Sequence, residues 1–301
     1  TIWSSTYESG FEKVRKVRLP VEAVLSKTFT LMDTSEDQVF LFIENHGLTS
    51  PFGNLYISGE GGRTFSLSLE NVIKGNAVDF EKVNSLDGTF ISNVYVDQEK
   101  QKKRSRGPWT TKDFQEFDES DLIREEERKS RMSRSNNEDS TNKKENRVSR
   151  RQTIEDSVPA SEVEESVQTL ITHNKGGKWE PIRAPTVTSK GKPIDCYVED
   201  GCSLHLEIYS HQGELSPVYS TETAVGIVLG TGNLGKRLTS NDSAKNLYLS
   251  RDGGLTWRSL RPGVFIYEIG DHGALIVIAR KGEPTREVEF SWDEGQSWQT
   301  L

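Results

Sequence analysis

Ser250-Arg251-Asp252-Gly253-Gly254-Leu255-Thr256-Trp257 joins the strand-like run NLYLS to the run TWRSL, and its pattern returns three more times in the chain. The counterparts are Ser291-Trp292-Asp293-Glu294-Gly295-Gln296-Ser297-Trp298, Ser58-Gly59-Glu60-Gly61-Gly62-Arg63-Thr64-Phe65 and Thr172-His173-Asn174-Lys175-Gly176-Gly177-Lys178-Trp179. Each reads hydroxyl, any, acid or amide, any, glycine, any, any, aromatic. Each follows a strand-like run (EVEFS, NLYIS, TLITH) and leads into another (SWQTL, FSLSL, KWEPIR). A repeated hairpin means a repeated supersecondary unit, and that decides the fold before any other residue is read. A fifth segment, Thr6-Tyr7-Glu8-Ser9-Gly10, is too poorly formed to add to the count.

The chemistry of the pattern is that of a turn. Gly62, Gly176, Gly254 and Gly295 supply the positive φ that a tight connection between strands needs. Glu60, Asn174, Asp252 and Asp293 are placed to accept hydrogen bonds from turn amides, and Ser58, Thr172, Ser250 and Ser291 to bond the same amides. The aromatic starts the return strand and packs beside the turn. This is the Asp-box pattern, which stabilises a hairpin and performs no chemistry. The boxes at Ser250 and Ser291 are complete; that at Thr172 lacks the second hydroxyl, and that at Ser58 carries Glu and Phe.

Strand-like runs group around the boxes. Leu25–Asp33 and Gln38–Glu44 precede Ser58; Ala77–Val83 and Thr89–Val96 precede Thr172. Cys202–Ser210 and Ala224–Gly230 precede Ser250; Val264–Gly270 and Ala274–Arg280 precede Ser291. Each box therefore joins the third and fourth strands of a four-stranded unit, which is a propeller blade. TIWSS and FEKVRKV at the start read as the last two strands of an earlier blade. The fold class is all-β: a β-propeller segment of four and a half blades. The blades fall into a first part over 1–98 and a second over 167–301, with a long disordered insertion at 99–166 between them.

That insertion is about half charged and poor in aliphatic residues, so it cannot bury enough surface to fold alone. A surface hairpin tolerates it because closure entropy grows slowly with length. Phe114, Phe117, Leu122 and Ile123 show some helical spacing within Asp113 to Ser133, a face for a partner. Arg147-Val148-Ser149-Arg150 has the shape of a basic-directed protease site, and Arg150-Arg151-Gln152-Thr153 that of a basophilic kinase site.

The formal net charge of −8 argues against nucleic acid as the main partner. No run of about 18 apolar residues marks a membrane span, and the first residues do not read as a signal peptide. The expectation is a cytosolic protein or an internal piece of a longer chain, and the cysteines favour the second. Cys196 and Cys202, with five residues between them, fit neither a C-x-x-C redox pair nor a zinc site, since His205 is nearby but a fourth ligand is not evident. A local disulfide in an oxidising compartment fits better. Asn241-Asp242-Ser243 is the only N-glycosylation triplet. No metal, cofactor or catalytic residue is assigned.

Longer strings carry a family resemblance. LYLSRDGGLTWRSLRPGVFIYEIGDHGALIVIAR, followed by VEFSWDEGQSWQTL, resembles consecutive blades of the sortilin family of sorting receptors. TLITHNKGGKWEPIRAP, DCYVEDGCSLHLEIYS, AVGIVLGTGNLG, VNSLDGTFISNVYV and LYISGEGGRTFSLSLENV extend it over nearly the whole chain apart from 99–166. The Cys pair before SLHL and the IGDHGALIVIA strand are its most specific parts. The resemblance implies a ten-bladed propeller in the lumenal or extracellular part of a type I membrane receptor, followed by a small cysteine-rich module. It implies binding of peptide or protein ligands inside the propeller tunnel, and their carriage between Golgi, cell surface and endosomes. The chain departs from the family in extent, holding under half of such a propeller. The remaining blades are thus expected partners, and any contact with a membrane lies in parts of the parent chain absent here. No ligand-contact motif of the family maps onto a position here, so ligand-binding residues are unassigned.

The competing reading is an Asp-box propeller glycoside hydrolase of the sialidase kind. It needs an arginine cluster, a Tyr nucleophile paired with a Glu, and an acid Asp. Arg15, Arg18, Arg183 and Arg280 are available, but none sits in a recognisable sialidase motif. Asp195, Glu199, Asp200 and Asp271 read as loop residues, and Asp271-His272 as a tight turn rather than a catalytic pair.

Overall fold

β1 (Trp3–Ser4) and β2 (Arg15–Lys16) form an antiparallel pair ahead of four larger antiparallel units. The computed structural model describes residues 2–5, 14–20, 28–44, 51–59, 62–96, 166–208, 217–282 and 284–301. In the first full blade, β3 (Phe29–Asp33), β4 (Phe40–Glu44), β5 (Phe52–Ser58) and β6 (Phe65–Ile73) pair in chain order. The second repeats this with β7 (Phe80–Lys82), β8 (Phe90–Tyr95), β9 (Val167–Thr172) and β10 (Glu180–Pro181). A single pair, Val72 with Val94, links these two blades into one hydrogen-bonded sheet. The third contains β11 (Ser203–Leu206), β12 (Val218–Tyr219), β13 (Val228–Gly235), β14 (Asn246–Ser250) and β15 (Arg258–Pro262). The fourth contains β16 (Phe265–Gly270), β17 (Leu275–Arg280), β18 (Glu289–Ser291) and β19 (Gln299–Thr300). Consecutive four-stranded antiparallel meanders are propeller blades, and the fold is an all-β propeller segment.

The third blade departs from the expected strand plan. Only Ser203–Leu206 of the run Cys202–Ser210 is described as strand, and its place beside β13 is shared with β12. Gly232 permits this approach: a Cβ there would lie 1.9 Å from the His205 carbonyl oxygen. Of the run Ala224–Gly230, pairing begins only at Val228, because Gly226 (φ 76°) turns the chain just before it.

In the second blade, β8 and β9 pair from Tyr95↔Val167 to Phe90↔Thr172, and Val96 N donates to Ser166 O at 2.9 Å. The chain therefore leaves one strand and enters the next at a single closed point. Residues 97–165, with the expected insertion apart from Ser166, the helix-like stretch and both basic motifs, lie outside the described residues. So do Thr6 to Gly10 and Glu60.

Alternation of side chains along each strand explains why blades stack. Phe40 and Phe42 face one way, meeting Phe80 and Phe90 of the second blade. Leu41 and Ile43, between them in sequence, face the other way toward Ile2 and Leu19. Tyr248 fills the seam between second and third blades, whereas Leu247 and Leu249 fill the seam between third and fourth. With both faces covered, a strand reads as a continuous apolar run. The fourth blade differs: Phe265, Tyr267 and Ile269 are buried, but Ile266 and Glu268 are exposed. Its far face carries Ile266 beside Ala279 and Val277 beside Phe290, an apolar stripe with no fifth blade among the described residues.

Burial at a seam has a testable weight. Ile278→Ala, at 1% exposure in the last seam, is expected to cost about 2–5 kcal/mol. Ile266→Ala, on the open face, is expected to change stability by about 0.5 kcal/mol or less. Urea unfolding of both variants checks this, and equal losses would contradict the alternation.

Candidate functional site

The box hairpins are the most highly organised polar features of the blades. In the third blade, Ser250 Oγ donates to Asp252 Oδ1 (2.8 Å) and accepts from Gly254 N (2.8 Å). Asp252 Oδ1 also accepts from Thr256 N (2.8 Å), and Oδ2 from Thr256 Oγ1 (2.6 Å). The fourth blade repeats these bonds through Ser291, Asp293, Gly295 and Ser297, at 2.7, 2.7, 2.8 and 2.5 Å. In the second, Thr172 Oγ1 donates to Asn174 Oδ1 (2.9 Å) and accepts from Gly176 N (3.1 Å). There Lys178 contributes its backbone amide to Asn174 Oδ1 at 2.8 Å, in the place where the complete boxes also supply a hydroxyl. The first box is different: Ser58 Oγ accepts from Val39 N (2.9 Å), across the neighbouring strand, and Gly62 N donates to Gly59 O (3.1 Å).

The tryptophans close the motif. Trp257 Nε1 donates to Gly254 O (2.9 Å) and Trp298 Nε1 to Gly295 O (3.2 Å). In the second blade a serine from the first is interposed: Trp179 Nε1 donates to Ser68 Oγ (3.0 Å), which donates to Gly176 O (2.6 Å). The box glycines all have positive φ, at 63°, 81°, 95° and 79° for Gly62, Gly176, Gly254 and Gly295. Three of them are also tight against the preceding blade. A Cβ on Gly176, Gly254 or Gly295 would lie 2.8 Å from Phe40, 2.4 Å from Ile171 or 2.8 Å from Leu260.

The box positions that accept any residue turn out to couple blades. His173, second in its box, places Nε2 3.1 Å from the carbonyl of Gly253, fourth in the next box. The carbonyl can only accept, so Nε2 carries the proton. Arg251, second in that box, pairs with Glu294, fourth in the following one, at 3.0 Å. A parallel chain of contacts runs through the turns between first and second strands. Gly88 N donates to Glu36 Oε2 (2.7 Å) of the first blade, and Gly226 N to Ser85 O (2.9 Å) of the second. Each of these glycines also accepts from its own box, from Lys175 N and Gly253 N respectively, both at 2.9 Å. Asp271 and His272 occupy the corresponding turn of the fourth blade with positive φ (46° and 57°) and are exposed, 3.8 Å apart.

The carboxylates of the complete boxes are held ionised by their own turns. Hydrogen bonds from the Ser297 hydroxyl, the Ser297 amide and the Ser291 hydroxyl push Asp293 down to about 2. Burial works against ionisation of Asp252, but the bonds from Thr256 and Ser250 prevail and lower it.

A second polar group lies in the seam between second and third blades. Thr169 Oγ1 donates to Asn93 Oδ1 (2.6 Å), and Asn93 Nδ2 to Asp79 Oδ2 (3.1 Å) and Leu206 O (3.3 Å). Leu206 N donates to Thr169 Oγ1 (2.9 Å), and Thr169 N to His205 Nδ1 (3.1 Å). Asn93, Thr169 and His205 are fully buried. With Nδ1 accepting, the His205 proton sits on Nε2, 3.0 Å from Gly235 O. Burial pushes His205 down to about 4, so the ring is neutral. It pushes Asp79 up to about 7, against the bond from Asn93.

Cys196 and Cys202 are joined in a disulfide across the short helical turn Val198–Asp200, at the entry to β11. Closing so short a loop stabilises by about 2 kcal/mol in the chain-entropy account. His205 therefore has no free thiolate beside it, and no group of three or more metal-ligating side chains occurs among the described residues. The arginines of the hydrolase reading are dispersed. Arg15 belongs to the starting strand pair, Arg18 bridges Thr64 in the first blade, Arg183 follows β10, and Arg280 stacks over Phe265 in the fourth blade.

Comparison with known proteins places this architecture. A family model described as "Sortilin, neurotensin receptor 3" matches residues 5–119 and 145–301. The chain belongs to this sortilin and Vps10 family. It is 28% identical over 278 residues to vacuolar protein sorting/targeting protein 10 of Candida dubliniensis, covering 90% of this chain and 14% of that one. The protein of the same name from Pyrenophora teres f. teres is 30% identical over 275 residues, with the same coverage. The chain thus spans about one seventh of the length of these relatives, whose names describe protein sorting rather than catalysis. Among solved structures, an ancestral GH74 enzyme overlaps 95% of this chain and 26% of its own at a TM-score of 0.35 and 11% identity, a likeness that carries no argument.

The turn bonds generate a prediction. Asp252→Asn keeps the Oδ1 acceptor, as Asn174 does naturally, and is expected to cost well under the about 1–3 kcal/mol expected for Asp252→Ala. The Asp293 carboxyl, followed by carbon NMR, is expected to titrate near 2 rather than near the unfolded value of about 3.9. Because its folded value is depressed, its stabilising contribution is complete above about pH 4 and is lost as pH falls toward 2. An unshifted titration would break the link between the bonds and the charge.

Proposed function

We propose that these residues form part of the ligand-binding propeller of a sorting receptor. In this reading the receptor binds peptides or proteins in its lumen and carries them between Golgi, cell surface and endosomes. The family match over both parts of the blade array carries the reading. The geometry supports a scaffold: the box carboxylates of the third and fourth blades are engaged by their own hairpins, and the seams are apolar apart from the hydrogen-bonded set around Asn93, Thr169 and His205. The Cys196–Cys202 disulfide suits the oxidising lumen such a receptor would face. No helix among the described residues is long and apolar enough to cross a membrane, so anchoring would fall to other parts of the parent chain. The apolar far face of the fourth blade is where a further blade would continue the array.

The stretch 99–166 is an insertion that the fold does not need, because β8 and β9 pair up to the point where it begins and ends. The test uses the full ectodomain. Calorimetric titration with peptide ligands is expected to show saturable binding in the full ectodomain, and deletion of 99–166 to leave both the β signal and the affinity unchanged. Residues 1–301 alone are expected to associate by light scattering and to bind peptide weakly. Hydrolysis of a glycoside without peptide binding would overturn the receptor reading, and loss of folding on deletion would overturn the insertion.

A further inference from the structure

The connection from β13 to β14 presents Asn241-Asp242-Ser243 in an unusually well-defined setting. Asn241 Oδ1 accepts from both Ser243 N (3.1 Å) and Ser243 Oγ (2.7 Å). Asn241 N donates to Thr239 Oγ1 (3.2 Å), and Thr239 N to Asn233 Oδ1 (3.0 Å), so the approach to the turn is bonded as well. Behind it, the buried ammonium of Lys245 bonds Asp242 Oδ1 (2.6 Å), Ser240 O (3.5 Å) and the Glu207 carboxylate. Residues 241–244 themselves are exposed. The Asn241 amide nitrogen makes no hydrogen bond among the described residues and stands on a solvent-facing turn.

We propose that Asn241 is a site of N-linked glycosylation. The acceptor rule for this modification demands a hydroxyl two residues after the asparagine, and here that hydroxyl touches the asparagine carboxamide itself. The donor would be a lipid-pyrophosphate-linked oligosaccharide. A bond forms between the Asn241 amide nitrogen and the first sugar carbon, the sugar–phosphate bond breaks, the amide gives up one proton, and the lipid pyrophosphate leaves. Ser243 holds the carboxamide and is not consumed. The sugar would stand at the end of β14 opposite the Ser250 box, leaving the box turns clear, and none of residues 241–244 lies in an apolar seam. The ordered turn also means that a bulky group can be carried without displacing a packed side chain.

The inference rests on the lumenal placement proposed above, and the experiment separates the two. The full-length protein is purified from a eukaryotic host, digested without reduction, and its peptides are weighed before and after enzymatic deglycosylation. The expected result is a glycan on the peptide containing Asn241 together with an intact Cys196–Cys202 bridge. Asn241→Asp keeps the Oδ1 acceptor and so the turn, and is expected to abolish that glycan; Ser243→Ala is expected to do the same, and Ser243→Thr to retain it. A bridged protein with bare Asn241 overturns the inference and leaves the lumenal placement standing. Free thiols with bare Asn241 overturn both.

Discussion

Burial of apolar side chains in the seams between successive blades is the interaction on which the rest depends. A strand sends neighbouring side chains to opposite faces, so each blade contributes to two seams at once. Phe40 with Phe42, and Leu41 with Ile43, show the division within a single strand. A fully buried side chain of this size contributes about 1.5–3 kcal/mol. A one-residue slip in register would exchange the two sets and mismatch both seams, so the stacking and the register specify each other.

Polar contacts then fix how the seams align. In the last three boxes, bonds among the hydroxyl, the carboxylate or carboxamide and the glycine amide fix the hairpin, which presents neighbours with definite donors and acceptors. His173 to Gly253 and Arg251 to Glu294 extend from one box to the next. The buried set of Asn93, Thr169 and His205 does the same inside a seam, where a missing partner would leave a donor or acceptor unsatisfied at a cost of about 1–3 kcal/mol. Apolar burial favours contact between blades in many registers; these polar groups accept few of them.

Much of this was legible in the residues. The spacing of hydroxyl, acid, glycine and aromatic marked the hairpins, and the runs around them marked the strands, because both depend on local chemistry. The coupling through His173, Arg251 and Glu294 was hidden, since a pattern tolerant of any residue at those positions gives them no weight. Gly88 and Gly226 did carry a signal, a glycine two residues before the second strand in the second and third blades, that only the neighbouring blade explains. The division of the first strand of the third blade into β11 and β12 follows from the approach that Gly232 permits, a contact distant in sequence. Asn93 and Thr169 read as ordinary strand residues, and His205 was weighed only against the cysteines, because the bonds that join the three cross from the second blade to the third.

The bond from Val96 N to Ser166 O has a consequence for covalent continuity. On either side of it, the two lengths of chain are held by the pairing of β8 with β9 and by the seams that the second blade shares with its neighbours. A backbone severed between those two residues would still have its halves in register, as two polypeptides sharing one blade. At this point of the fold, the peptide bonds determine the order of synthesis, while noncovalent contacts determine what stays together.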